Sequence, residues 1–289
     1  MAPLPDKIIL VTGGTSGIGE VTARELARRG AHVVILARNA EKAEKTRQQL
    51  IAETGNQQID VVLADLSNLQ QVRDVTAEIH QKYPRLDVLI NNAGLMFGAK
   101  REVSADGYEM TLATNHLGPF LLTSLLLDLL QKSPAARIVN VASNAYKFSK
   151  PTLDDIQSEA DYSPVWEYGT TKLWNIMFTQ ELAKRLREHG IQNVVTSCLH
   201  PGAVATNYGK QTGGVIGTLL NLGRPFMISP EKGAQTSIFL ATDEQAGRSS
   251  GGYYDKSKPV AVKSKFNTAA NNRRLWEISE QLTKTNFLD

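Results

Sequence analysis

The sequence holds one cysteine, Cys198, among 289 residues, which excludes an internal disulfide and suits a reducing compartment. It sits in the strand-like run Val194 to Leu199, where a lone thiol reads as a small buried apolar side chain. Long apolar runs are also missing. The longest, Leu121 to Leu130, is broken by Asp128 and falls short of the ~18–20 residues that span a bilayer. No basic region precedes the first apolar stretch at Ile8, so no signal peptide is expected. Blocks of like charge are absent and the net charge is only +3, which argues against a nucleic-acid partner. No metal-ligand set is expected. The chain reads as a soluble cytoplasmic protein, at most lying on a membrane surface. Repeats, low-complexity linkers and composition breaks are lacking too, so residues 1–289 read as one domain.

What is present begins with the continuous apolar run Ile8-Ile9-Leu10-Val11, the pattern of a strand buried on both faces of a parallel sheet. Thr12-Gly13-Gly14-Thr15-Ser16-Gly17-Ile18-Gly19 follows, and then a helical pattern through Val21, Ala23, Leu26 and Ala27. Strand, glycine turn and helix in that order form a dinucleotide phosphate site. Glycine admits close backbone approach, and the helix N-terminus presents free N–H groups. The second strand, His32 to Ala37, ends at Arg38-Asn39, with Lys42 one helical turn on. A basic residue there suits a 2′-phosphate, where an acidic one would hold ribose hydroxyls. NADP is therefore expected over NAD, against the alternative of an arginine simply meeting solvent.

The third strand, Ile59 to Ala64, ends at Asp65-Leu66. This carboxylate suits either an adenine amino group or the capping of the next helix. The fourth strand, Leu86 to Ile90, leads into Asn91-Asn92-Ala93-Gly94, small residues fitted to close ligand approach. A helix is predicted from Gly107 to Leu130 with Asn115 at its centre. Asparagine weakens a helix interior, so its amide is expected to serve elsewhere. The fifth strand, Arg137 to Ala142, delivers Ser143 at its C-terminal end, where open α/β sheets place ligands. After a polar stretch, Tyr168 and Lys172 stand four apart at the head of a helical pattern and so share a face. An ammonium beside a phenol favours the phenolate, which equips the pair for proton exchange with an alcohol or carbonyl. Beyond the sixth strand, residues 203–228 are glycine-hinged and apolar and read as a substrate lid. A terminal helix is predicted over Asn271 to Thr283.

These features in this order resemble the short-chain dehydrogenase/reductase family, in its single-domain branch, along essentially the whole chain. Leu36-Ala37-Arg38-Asn39, Thr114-Asn115-His116-Leu117-Gly118, the long Ser143–Tyr168 spacing, His200-Pro201-Gly202 and Arg274-Leu275-Trp276-Glu277 are similar to the retinol-dehydrogenase-like group. The resemblance implies an α/β fold: a doubly wound, seven-stranded parallel (Rossmann) sheet with helices on both faces. It also implies NADP(H) and hydride exchange with a small lipophilic alcohol or carbonyl. Ser143 would hold the substrate oxygen and Tyr168 would transfer the proton. Lys172 would bind the nicotinamide ribose, and Asn115 would hold a relay water beside it. Cofactor contacts would come from Gly13, Ser16, Gly17, Ile18 and Gly19 in the first turn, then Arg38 and Asn39, and Asp65 and Leu66. Asn92, Ala93, Gly94, Pro201, Val204 and Thr206 would add theirs. The fold often forms homodimers or homotetramers.

Two departures bear on function. Ser143 and Tyr168 stand twice as far apart in sequence as in many family members, so the intervening loop must fold back. Membrane-bound retinol dehydrogenases carry an N-terminal apolar anchor that this sequence does not show, so a soluble relative using some lipophilic alcohol, aldehyde or ketone is expected. The rival from another class is a catalytically silent nucleotide sensor or scaffold; the intact set Asn115, Ser143, Tyr168 and Lys172 argues against it. An epimerase or dehydratase usually needs a larger C-terminal domain than this chain leaves room for.

Overall fold

The structure is a computed structural model that describes residues 3–202 and 228–288. Strands β1 (Ile8–Thr12), β2 (His32–Ala37), β3 (Ile59–Leu63), β4 (Val88–Asn91), β5 (Ala136–Val141), β6 (Val194–His200) and β7 (Gly252–Asp255) run parallel, in the order β3-β2-β1-β4-β5-β6-β7. An eighth strand, β8 (Lys258–Pro259), pairs antiparallel on the outer edge of β7. It corrects the expected count of seven. Two exposed residues at an edge carry no hydrophobic period, so nothing local announces them.

Alternate side chains of each strand feed opposite cores. Leu10, Val34, Leu36 and Leu89 join helices α3 (Leu69–Lys82), α5 (Gly118–Gln131) and α6 (Pro164–Glu188) on one face, closed by α8 (Ala269–Thr283). Ile9, Val11, Val33 and Ile35 face α1 (Gly17–Arg28), α2 (Ala40–Thr54) and α7 (Pro230–Thr242) on the other. Both faces of the central strands are therefore dry, which is why they read as unbroken apolar runs. Caps set the helix starts. Asn39 Oδ1 accepts from Lys42 N–H at 2.8 Å and Asn68 Oδ1 from Gln71 N–H at 3.0 Å. The tail helix begins two residues before its predicted start, capped by Thr268.

The helix predicted over Gly107 to Leu130 is instead three pieces. A short α4 (Met110–Leu112) is followed by a π-helical turn, Ala113–Leu117, and then by α5. Gly107 lies at φ +82°, outside helical space, and Glu109 caps the real start through Leu112 N–H at 2.6 Å. The helix carrying Tyr168 starts four residues before it, with Pro164 in the first turn, where a missing N–H costs nothing.

Candidate active site

Sheet order reverses between β1 and β4, and their C-terminal ends bound the crevice where such sheets bind ligands. Thr12 locks the two sides together. Its Oγ1 accepts from the N–H groups of Asn92 (3.0 Å) and Ala93 (2.9 Å), and its carbonyl accepts from Asn92 Nδ2 at 2.8 Å. Gly13 and Gly17 hold the turn at φ +66° and +56°, angles that side chains resist. A Cβ at Gly19 would lie 2.4 Å from both Asn92 Nδ2 and the Gly13 carbonyl. The turn can close this tightly only with hydrogen at that position.

The N-terminus of α1 is left open. Ser16 occupies the cap position but makes no side-chain cap hydrogen bond and is exposed, beside half-buried Ile18. Uncapped N–H groups over a glycine turn suit a phosphate. Arg38 is exposed at the end of β2, and among the described residues it forms no hydrogen bond or ion pair. Asn39 spends its side-chain oxygen capping α2. Asp65 Oδ1 accepts from both N–H (2.9 Å) and Oγ (2.7 Å) of Ser67, while Asn68 takes the cap of α3. The Leu66 side chain lies in the core. Pro201 lies at the end of β6; Val204, Thr206 and residues 203–227 of the expected lid lie outside the described residues.

On the other side of the crevice, Lys172 is buried to 2% exposure and Tyr168 is half-buried on the same helical face. Lys172 Nζ stands 5.4 Å from the Tyr168 ring centre and donates to the Val141 carbonyl at 3.0 Å. Burial pulls its pKa down to about 8, so the ammonium persists at neutral pH. Gly94 adjoins it: a Cβ there would meet Nζ at 2.9 Å and Asn115 Oδ1 at 3.3 Å. An ammonium has three donors, and only one finds a described acceptor.

Asn115 sits in the π-turn with its amide nitrogen and oxygen both engaged. Oδ1 accepts from Leu95 N–H (2.8 Å), and Nδ2 donates to the Leu95 carbonyl (2.8 Å) and Thr171 Oγ1 (3.2 Å). It ties the loop after β4 to α6 beside Lys172. π-turns often occur at functional sites.

The fold-back that the long Ser143–Tyr168 spacing demands is made by Gly169, which the sequence reading passed over. The 3₁₀ turn Asn144–Phe148 that follows Ser143 lies directly on α6 there; a Cβ at Gly169 would stand 2.7 Å from the Ala145 carbonyl. Thr170 Oγ1 accepts from Lys150 N–H at 3.2 Å and pins the next residue pair. His200 fixes the other end: its Nδ1 accepts from Asn144 N–H at 3.1 Å, which places the ring proton on Nε2. Burial lowers the His200 pKa. Tyr253 Oη adds a 3.3 Å bond to Asn144 Oδ1. Ser143 Oγ accepts from Ala145 N–H at 3.1 Å, and its own hydrogen donates to no described residue. Cys198 is buried, its thiol pushed up to about 12 by burial, and remains neutral.

Comparisons with known proteins bear on the family of the chain. A family profile described as short chain dehydrogenase matches residues 7–214. Human retinol dehydrogenase 14 is 41% identical, covering 95% of this chain and 85% of its own. Mouse retinol dehydrogenase 12 is 38% identical, covering 96% and 87%. A crystal structure of a protein from Mycobacterium paratuberculosis superposes with a TM-score of 0.81 at 32% identity, covering 99% and 97%. A short chain dehydrogenase from Escherichia coli complexed with NADPH gives 0.70 at 26% identity, covering 88% and 98%.

Proposed function

The chain belongs to the short chain dehydrogenase family, in its retinol-dehydrogenase-like group, and from that premise we propose an NADP(H)-dependent enzyme acting on a lipophilic alcohol, aldehyde or ketone. The observation that carries the proposal is the buried Lys172 ammonium, held between the Val141 carbonyl, Gly94 and the Tyr168 ring with donors to spare.

The site suits a dinucleotide on chemical grounds. The open N-terminus of α1 and the glycine turn would take its phosphates, and Arg38 its 2′-phosphate. The spare donors of Lys172 would take ribose hydroxyls. The chemistry a bound nicotinamide supplies is hydride exchange with the substrate's oxygen-bearing carbon. Ser143 would donate its unused hydroxyl hydrogen to the substrate oxygen. Tyr168 would give that oxygen its proton on reduction, or take it on oxidation. The adjacent Lys172 charge favours the phenolate left behind, and Asn115 keeps Leu95 and Thr171 in register around it. Retinol, for which the relatives are named, is a lipophilic alcohol; that supports the substrate class.

Tyr168→Phe tests the reading. It keeps the ring that adjoins Lys172 and removes only the exchangeable proton, so NADPH binding by fluorescence is retained. Oxidation of NADPH with a panel of hydrophobic aldehydes falls by about 10²–10⁴-fold. If wild type binds NADPH and turns over no carbonyl in the panel, the protein is a nucleotide sensor instead.

A further inference from the structure

The amide that follows Ser143 is held by a group that can gain a proton. β5 and β6 stay in register as far as Val141 and Leu199, and a bond from Ala142 N–H to the Leu199 carbonyl at 2.8 Å ends the pairing. There the 3₁₀ turn leads the chain off the sheet, and the amides beyond need other acceptors. Within the turn, the Ser143 carbonyl accepts from Tyr146 N–H and Ser143 Oγ from Ala145 N–H, each at 3.1 Å. Asn144 N–H turns back to β6 instead, where its acceptor is His200 Nδ1 at 3.1 Å. The peptide unit joining Ser143 to Asn144 is therefore fixed at both ends, its carbonyl by Tyr146 and its N–H by His200.

A backbone N–H can only donate. Its bond to His200 exists while Nδ1 keeps a free lone pair, that is, while the ring is neutral and carries its proton on Nε2. Protonation puts a second N–H on the ring and sets two donors face to face. Carbonyl and hydroxyl oxygens do not change in this way between about pH 5 and 8, whereas imidazole does. Of the acceptors around Ser143, His200 is thus the one that titrates. Among the described residues, the charged groups facing the ring are Asp255, its register partner on β7, which favours the imidazolium, and Lys147 of the turn, which opposes it. Tyr253, whose Oη donates to Asn144 Oδ1 at 3.3 Å, is kept neutral by burial. Burial outweighs Asp255 and holds the ring below the ordinary imidazole value of 6.5, so the bond is intact at neutral pH.

We propose that His200 is a positioning residue for Ser143 that works only as the neutral imidazole: its Nδ1 holds the Ser143–Asn144 peptide unit, and protonation of the ring releases that unit and the serine with it. The claim on Ser143 rests on the function proposed above; the hold on the turn does not.

The experiment measures kcat for nonanal reduction at saturating NADPH from pH 5 to 8 in wild type, His200→Asn and His200→Ala. Reduction is the informative direction, because Tyr168 gives a proton there and acidity does not deprive it of one. Asparagine places Oδ1 where Nδ1 stands, accepts from the same amide and takes up no proton. Wild-type kcat falls as pH drops below 6.5. His200→Asn keeps the neutral-pH activity and loses the acid fall. His200→Ala, with no acceptor, is slower at every pH, by up to about a hundredfold. The proposal is overturned if wild-type kcat holds level down to pH 5, if His200→Asn keeps the acid fall, or if asparagine and alanine at 200 behave alike. Should His200→Asn fail to fold, Asp255→Asn and Lys147→Gln carry the test without touching the ring. The first moves the acid fall to lower pH and the second to higher pH; a fall that neither moves overturns the proposal. NMR of the histidine ring nitrogens, with His200 assigned by its loss in His200→Ala, separates the two halves. If nonanal is not turned over while His200 shows a bare Nδ1 above pH 7 and titrates below 6.5, the hold on the turn stands and the role of Ser143 falls.

Discussion

Two cations bracket the crevice in opposite environments, and the contrast assigns them different work. Lys172 is buried, with its ammonium fixed by the Val141 carbonyl; it adjoins Tyr168, the proposed proton-transfer group. Arg38 is exposed and makes no bond to another described residue, so binding an anion breaks no existing pair. Arginine presents a fork of donors matched to phosphate oxygens, and such charged hydrogen bonds contribute about 1.5–3 kcal/mol. Arg38→Asp is expected to weaken NADPH binding by roughly 10–100-fold. It should leave NADH binding within about threefold, or tighten it, since a carboxylate there holds ribose hydroxyls. Paired fluorescence titrations measure both, and an unchanged NADPH affinity would show that Arg38 does not read the 2′-phosphate.

At the scale of elements, the site depends on where the 3₁₀ turn after β5 meets α6. Gly169 sets that distance. Gly169→Ala places a Cβ 2.7 Å from a backbone carbonyl that the His200 and Tyr253 bonds to Asn144 hold nearby. Overpacking of this kind costs about 1–3 kcal/mol. A displacement of Ser143 by a fraction of an ångström to 1 Å lowers kcat by up to about a hundredfold. The expected result is a lower Tm and a lower kcat with NADPH affinity retained, because the glycine turn proposed to take the phosphates lies between β1 and α1. Equal kcat in the variant would show that the turn has slack. The contact was illegible in the sequence because it joins residues 24 apart across a loop without periodicity (Ala145 to Gly169). The π-turn at Asn115 was hidden for a related reason. Its amide has no partner within its own helix, only Leu95 and Thr171. By contrast, the strand runs, the glycine turn and the Tyr168–Lys172 pair were readable, since burial on both strand faces and spacing of four leave a local pattern.

At the scale of the molecule, the last helix closes the face that carries the site. Trp276 on α8 is 1% exposed. It stacks on Phe287 at 4.7 Å and on Phe178 of α6 at 5.8 Å, and meets Phe120 of α5 edge-on at 5.1 Å. Arg185 of α6 covers its ring at 4.6 Å. His116 of the π-turn reaches the same helix through Ser279 Oγ at 2.8 Å, and burial holds its pKa near 4, so it stays neutral. The tail was legible as an amphipathic helix; that it braces α6 from behind was not, because aromatic contacts this far apart in sequence leave no local mark. Trp276→Ala removes a buried indole, a loss of about 3–5 kcal/mol. At roughly 2 °C per kcal/mol for a chain this long, Tm falls by about 6–10 °C. Below that Tm, NADPH affinity is expected to hold within about twofold, since α1 packs on the opposite face of the sheet. Calorimetry and fluorescence titration on one preparation read both numbers. A drop of less than about 2 °C would mean that α8 is not integral to this core. A parallel loss of NADPH affinity would mean that the brace reaches through the sheet to the phosphate turn.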